Sequence, residues 1–390
     1  MSTEHDTRTR KRKLPAGLRW RGDIIHIKKR HRGVDITGST HTGDVDAAVE
    51  VLAAKMREIH DAKTFGTRRR RTFAEAVCEY LERIERERRH NPGRYKSLPS
   101  MKRHLTLALL YISDCWLGEI HDAHPSILRL IDDRKQAGLK NKTINDTLDM
   151  INRVLARAAK WRDECGLTWL SHAPTLPLLD RNADAAKPYP MTWGEVELLK
   201  KMFDERSIIP DLIDFLVNTG VRESEACGLR WEWERYVPEL KCTVFLIPET
   251  HTKNKVPRVV VLNDTARSIV ETNRGQDRDW VFVQRAGKYK GRPMSRVRKN
   301  GWVVAWKKAG LPQGSDTKKG VHNLKHTFGR RLAAVGCPWH ERKILLGHRV
   351  GDVTELYAPA QIEQLLKWTQ TVDRERRELT MVRPVRLAVG

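Results

Sequence analysis

Near the start of the chain, apolar and polar residues alternate at Leu18 and Trp20 and again at Ile25 and Ile27, with turn signals at Gly22-Asp23 and Arg32-Gly33. A period of two puts successive side chains on opposite faces of a strand, so this stretch predicts a small antiparallel sheet. A helix is predicted from Asp46 to Ala62. The run Arg68 to Arg71 reads as a charged linker, after which Phe73, Val77, Leu81 and Ile84 recur at helical spacing and open a new domain. Two further helices are predicted over Leu105 to Trp116 and Ser126 to Gln136. Next, Ile144, Leu148, Ile151, Leu155 and Ala158 step by four and three onto one helical face.

Pro174, Pro177, Pro188 and Pro190 crowd the stretch from Ser171 to Pro190, where they break helices and remove ladder donors. It is the best inter-domain linker in the chain. Beyond it a helix from Asp211 to Asn218 ends at Gly220, a suitable C-terminal cap, and a second opens near Arg222. Strand-like runs follow at Thr243 to Ile247 and Arg258 to Leu262, with Lys253, Asn254 and Lys255 at or near their turn, and helices dominate the remainder. The expected fold class is multidomain α+β. Its parts are a basic tail with a small sheet-plus-helix domain (1–67), an all-α domain (72–172), a linker (173–187) and a mixed α and β domain with a C-terminal tail (188–390).

The formal net charge of +24 changes the picture, because that excess of cations attracts a polyanion whose condensed counterions are released on binding. Nucleic acid is the first candidate. No apolar run approaches the ~20 residues of a membrane span, so no membrane is expected as a partner. Residues 1–33 hold 11 Lys or Arg against 3 acids, and the first dozen are polar without periodicity, which predicts a disordered basic arm. No apolar stretch follows Lys11, Arg12 and Lys13, so a signal peptide is not expected and the protein reads as cytoplasmic and nucleoid-associated. The six Cys (78, 115, 165, 227, 242 and 337) form no CxxC pair, and reduced, mostly buried thiols are expected. Arg21-Gly22-Asp23 is read as a turn. Trp231, Trp233, Trp302 and Trp306 are expected to fill core or helix-packing positions, while Arg83 to Arg89 is either a solvated face or a phosphate-contacting one.

Four ordered segments carry candidate chemistry: Thr219-Gly220-Val221-Arg222-Glu223-Ser224-Glu225, Thr252-Lys253-Asn254-Lys255, His322-Asn323-Leu324-Lys325-His326-Thr327, and Leu346-Gly347-His348 followed nine residues later by Tyr357. Any one alone is weak. Together, over about 140 residues, they resemble the signature of the tyrosine recombinase (phage integrase) family, best across residues 188–370.

The resemblance implies a site-specific DNA recombinase working by transesterification, with Tyr357 as the nucleophile that forms a 3′-phosphotyrosyl link and releases a 5′-hydroxyl. A phenol with reference pKa near ~10 attacks poorly at neutral pH, so nearby cations and a proton acceptor must assist it. Arg222 would grip the nonbridging oxygens, its planar fork stabilising charge that grows in the transition state. Lys253 is carried over as the general acid for the leaving oxygen. Its neighbour Lys255 is the rival, and Lys253 is preferred because it stands five residues before Arg258, the spacing at which the family it resembles places its hairpin lysine. His322 and His348 would hydrogen-bond the phosphate or shuttle protons, roles suited to a reference pKa of ~6.5. Glu225 would be an orienting carboxylate. Lys325 departs from the family, most members of which have arginine in the pattern His-x-x-Arg; lysine keeps the charge and loses the bidentate fork.

The resemblance further implies an N-terminal arm-site DNA-binding domain, a helical core-binding (SAM-like) domain and a catalytic domain, the last two closing around DNA as a C-shaped clamp. Four protomers would assemble on two double-stranded attachment sites, without cofactor or metal, with a host DNA-bending factor and an excisionase as possible accessories. Leu365, Leu366 and Trp368 would then pack on a neighbouring protomer. His322 and His326 have the spacing of a zinc pair, but no third ligand is evident. The rival readings are a type IB topoisomerase-like enzyme and a DNA-binding regulator of the same fold that lacks cleavage, the latter kept open by Lys325.

Overall fold

The computed structural model describes residues 13–348 and 358–375. The chain divides into two compact units, Met1–Ala185 and Ala186–Gly390.

In the first unit β1 (Leu18–Arg21), β2 (Ile24–His31) and β3 (Val34–Ser39) form an antiparallel meander in chain order. Arg21 pairs with Ile24 and His31 with Val34, so each hairpin turns on two residues. In the second turn Arg32 (φ 48) and Gly33 (φ 80) both take the left-handed conformation that a tight right-twisted hairpin demands. Leu18, Ile25, Ile27 and Ile36 bury one face against Val45, Ala48 and Leu52 of α1 (Val45–Phe65). The helix outruns its predicted end at Ala62, stopping only where left-handed Gly66 donates back to the Ala62 carbonyl.

Four helices follow: α2 (Phe73–His90), α3 (Leu98–Ile112), α4 (Pro125–Gln136) and α5 (Asn141–Ala158). A capping box between Thr72 and Glu75 starts α2. The structure begins α3 seven residues before the predicted Leu105, because Pro99 is tolerated in a first turn and Leu98 and Met101 extend the buried stripe. Ile144, Leu148, Ile151, Leu155 and Ala158 are buried on α5, as the spacing predicts.

The proline-rich stretch has no regular structure, yet part of it is bound. Asn152 exchanges two hydrogen bonds with the backbone of Leu176 (2.7 and 2.9 Å), and Asn145, two turns earlier on α5, does the same with Leu179 (2.8 and 2.9 Å). A side-chain amide has the donor and acceptor to replace a strand partner. Leu176 is thereby buried in the helical core.

The second unit contains α6 (Trp193–Lys200), α7 (Ile209–Thr219), α8 (Glu223–Cys227), β4 (Glu234–Val237), β5 (Cys242–Ile247), β6 (Arg258–Val261), α9 (Asp264–Asn273), α10 (Lys299–Lys308), α11 (His322–Ala334), α12 (Trp339–Leu345) and α13 (Pro359–Glu375). The sheet runs β4-β5-β6, all antiparallel. Phe215, Phe245, Phe282, Trp302 and Trp306 fill its core. Cys227, Cys242 and Cys337 are buried free thiols, while Cys78 is exposed.

Of Leu365, Leu366 and Trp368, expected to pack on a neighbour, Leu365 is corrected to a core residue of its own unit, while Leu366 and Trp368 are only half-buried. Leu365 is 1% exposed beside Phe328, Leu332 and Val259 of its own unit, and Leu366 and Trp368 lie against the same cluster. Asn263 donates to the Thr369 carbonyl (3.4 Å), and Thr265 gives its amide and hydroxyl to Asp373, fixing α13 on the start of α9. Among the described residues no helix is long and apolar enough to cross a membrane.

Candidate active site

Gly220 ends α7 at φ 60, and a Cβ there would lie 2.3 Å from the Phe328 ring, so both backbone and packing require glycine. The reversal leaves Arg222 extended at the N-cap of α8. Its guanidinium donates to Glu225 (2.7 Å) and to the carbonyl of Gly347 (3.5 Å), while its backbone amide donates to the other Glu225 oxygen (3.1 Å).

Glu225 is 2% exposed and shared between two arginines. Its second partner is Arg258, whose guanidinium donates to Glu225 (2.5 Å), the Gly220 carbonyl (3.0 Å) and the Leu345 carbonyl (2.7 Å). Burial works to raise the Glu225 carboxyl, but the charge of Arg258, with the hydrogen bonds and charge of Arg222, outweighs it and holds the group below its ordinary value. Arg258, 4% exposed, thus joins the end of α7, the start of β6 and the end of α12.

Thr252 pins the β5–β6 connection by donating to the Val256 carbonyl (2.8 Å) and accepting from its amide (3.2 Å). Lys253 and Lys255 are both exposed there, the latter left-handed at φ 52. Asn254 between them donates to the Gly347 carbonyl (3.1 Å). The two lysines differ electrostatically, since the charge of Lys253 is among those that depress the proton affinity of His322 and Lys325.

His322 opens α11 with its ring edge-on to His326, centroids 4.8 Å apart. Desolvation, then the charges of His326, Lys325, Arg222 and Lys253, push it down to about 4, so it is neutral at pH 7. Lys325, one turn on, is 5% exposed and donates to the Leu346 carbonyl. Desolvation first, then Arg258 and Arg222, push its ammonium down to about 6. Gly347 follows α12 at φ 58, and a Cβ there would sit 2.9 Å from the Arg258 guanidinium. That close approach turns the Gly347 carbonyl toward Arg222 and Asn254, and leaves His348 exposed with its affinity lowered by desolvation, Lys325 and Arg222.

Arg222 and His348 thus line a cleft of about 30 Å³ with Thr252, Asn254, Arg258 and Gly347, while His322 and Lys325 feel the charges of Arg222 and Lys253 beside it. Tyr357 lies outside the described residues. Cations and imidazoles surround a single carboxylate already engaged by two arginines, an arrangement suited to a phosphate-like anion. Among the described residues no group of three or more His, Cys, Asp or Glu could hold a metal ion.

Sequence reasoning used Arg258 only as a ruler for Lys253 and assigned Asn254 no role. A signal was present for the first: an arginine opening the apolar run Arg-Val-Val-Val has to find a buried partner. Nothing local marks Asn254, whose partner lies 93 residues away.

The model of the "Phage integrase family" matches residues 195–364. The chain is 25% identical over 209 residues to the integrase of Salmonella phage P22, covering 50% of this chain and 52% of that protein, so it spans about half the length of that relative. Its fold is similar to that of the Tn1549 transposon integrase in complex with transposon right end DNA (TM-score 0.50, 18% identity, 75% of this chain and 97% of that one). A lambda integrase dimer bound to a COC′ core site is also similar (TM-score 0.51, 12% identity, 96% and 100% covered), as is a lambda integrase tetramer bound to a Holliday junction (TM-score 0.52, 14% identity, 88% and 98% covered). These likenesses establish the multidomain α+β fold read from the sequence, with a three-stranded sheet, a helical domain and a second sheet in the second unit. Segment 195–364 thus matches the phage integrase family, and the fold around it is similar to that of the lambda integrase.

Proposed function

We propose that the protein is a site-specific DNA recombinase that integrates or excises a phage or other mobile element through a 3′-phosphotyrosyl intermediate. One observation carries the reading: segments up to 125 residues apart meet at the Gly347 carbonyl and the Arg222 guanidinium, lining a cleft whose cationic side chains suit a phosphodiester. In the proposed step the Tyr357 oxygen bonds to phosphorus and the bond to the 5′-oxygen breaks. Lys253 gives that oxygen its proton, while His322 or His348 takes the phenolic proton. Arg222 holds the nonbridging oxygens, whose charge grows most in the transition state, and Lys325 joins it as that negative charge favours its protonated form. Rejoining reverses the step, so the phosphodiester energy is conserved and no cofactor is needed.

The proposed partners are double-stranded attachment sites and three further copies of the chain, with a host DNA-bending factor and an excisionase as accessories. The outer face of the N-terminal sheet suits arm-site DNA. Arg19 and His26 are cross-strand neighbours there, as are Lys28 and Thr37, and such a face fits the major groove.

A nicked suicide duplex carrying the attachment site tests the reaction. The expected result is a protein-DNA adduct that survives denaturation, forms in Lys255→Ala, is strongly reduced in Lys253→Ala and is absent in Tyr357→Phe. Tight specific binding with no adduct in the unaltered protein would assign it instead to the non-cleaving regulators.

A further inference from the structure

From Trp280 to Ser315 the sequence contains nine Lys or Arg and no Asp or Glu. Within it, residues 284–292 form a tight hairpin closed by backbone bonds from Gln284 to the Arg292 carbonyl (2.9 Å) and from Gly291 to the Gln284 carbonyl (2.8 Å). Its root is rigid: Phe282, Met294 and Val297 are buried in the core of the second unit. Its outer surface is cationic, with Lys288, Lys290, Arg292, Arg296, Arg298 and Lys299 all exposed. Among the described residues the only ion pair from this stretch is made by Arg285, with Asp211 (2.5 Å).

Two details separate this surface from an ordinary solvated one. Exposed cations elsewhere commonly have acidic neighbours, as with Arg83 and Glu79, Lys102 and Glu85, and Lys142 and Asp146. Six like charges without them repel one another, a cost that an approaching polyanion turns into attraction. The hairpin also carries an aromatic anchor. The Tyr289 ring lies 5.8 Å from the Arg292 guanidinium and 5.5 Å from that of Arg298, so both are oriented before any ligand arrives.

The placement identifies the polyanion. The Val297 amide donates to the Glu223 carboxylate at 2.5 Å, and Glu223 directly follows Arg222. The basic hairpin is thus tethered through its root to the residue proposed to grip the reacting phosphate. We propose that residues 284–299 form a clamp for the phosphate backbone of duplex DNA beside the scissile phosphate, with Arg292 and Arg298 preset by Tyr289. The clamp rests on the recombinase reading and adds to it a surface that binds without taking part in the chemistry.

The full chain is tested by fluorescence anisotropy with an attachment-site duplex over a range of salt concentrations. Each phosphate contact contributes about 0.9 to the slope of log K against log salt. The triple variant Lys290→Gln, Arg292→Gln, Arg298→Gln should lower the slope by about 2 to 3, with its melting temperature unchanged because all three side chains are exposed. A charge-matched control, Lys201→Gln, Lys241→Gln, Arg278→Gln, should change it by less than about one contact's worth. Tyr289→Ala, which alters no charge, should weaken binding several-fold while leaving the slope nearly intact. A triple variant with the slope of the unaltered protein, or a control that falls equally, overturns the clamp. The adduct assay separates the two readings: an adduct with an unchanged slope sinks only the clamp, and a lowered slope without any adduct sinks only the chemistry.

Discussion

Replacing Arg258 by methionine should destabilise the second unit far more than a typical surface change. The side chain is 4% exposed and makes three hydrogen bonds. Breaking a buried ion pair by removing one partner costs roughly 3–5 kcal/mol, and the low end applies here because Glu225 keeps Arg222. The carbonyls of Gly220 and Leu345 each lose a donor, about 1 kcal/mol apiece, and relief of the arginine's own desolvation offsets part of the total. The net is about 3–4 kcal/mol, or a fall in melting temperature of roughly 6–16 °C for a unit of this size. Urea unfolding followed by tryptophan fluorescence reads the unit directly, since Trp302 and Trp306 are buried in it. Arg258→Lys should recover part of the loss. The double variant with Glu225→Gln should be less damaging than the sum of the two single changes. A methionine variant within 1 kcal/mol of the unaltered protein would refute the claim that this guanidinium holds the site's three segments together.

Lys325 should leave a signature in the pH dependence of stability. The folded group loses its proton above about 6 instead of its ordinary 10.5, so between those values the unfolded chain binds more protons and stability rises with pH, by up to about 1 kcal/mol per pH unit. Urea titrations at pH 7 and 8.5 should show this rise in the unaltered protein and not in Lys325→Met; equal slopes would mean that the burial does not perturb the ammonium. Gly347→Ala forces a side chain into a left-handed position against Arg258, and thermal melting should show a loss of at least about 1–2 kcal/mol. Asn145→Ala and Asn152→Ala each remove two hydrogen bonds to the proline-rich segment, costing about 1–3 kcal/mol apiece and exposing residues 173–187 to proteolysis, which a protease time course would detect.

What could be read in advance followed from local rules. The five-residue stripe on α5 and the glycine stop of α7 are patterns of neighbours, and both appear in the fold. The cationic boxes were legible because each is contiguous, but their meeting depends on carbonyls of Leu346 and Gly347 that no side-chain pattern reveals. β4 escaped notice because Glu234-Arg235-Tyr236-Val237 buries one residue in four and is held by its pairing with β5. The docked proline segment escaped for a similar reason: asparagines on a helix usually face water, and only the third dimension brings Leu176 and Leu179 to Asn152 and Asn145.

The seating of α13 sets what the second unit would lose if its last described helix came away. The Ala358 carbonyl already receives the Ile362 amide at 3.1 Å, so the first turn of the helix is closed where the described residues resume. Prising the helix out would uncover Ile362, Leu365 and Val372 at about 1.5–3 kcal/mol each, so a swap of this helix between copies would have to restore the same burial elsewhere.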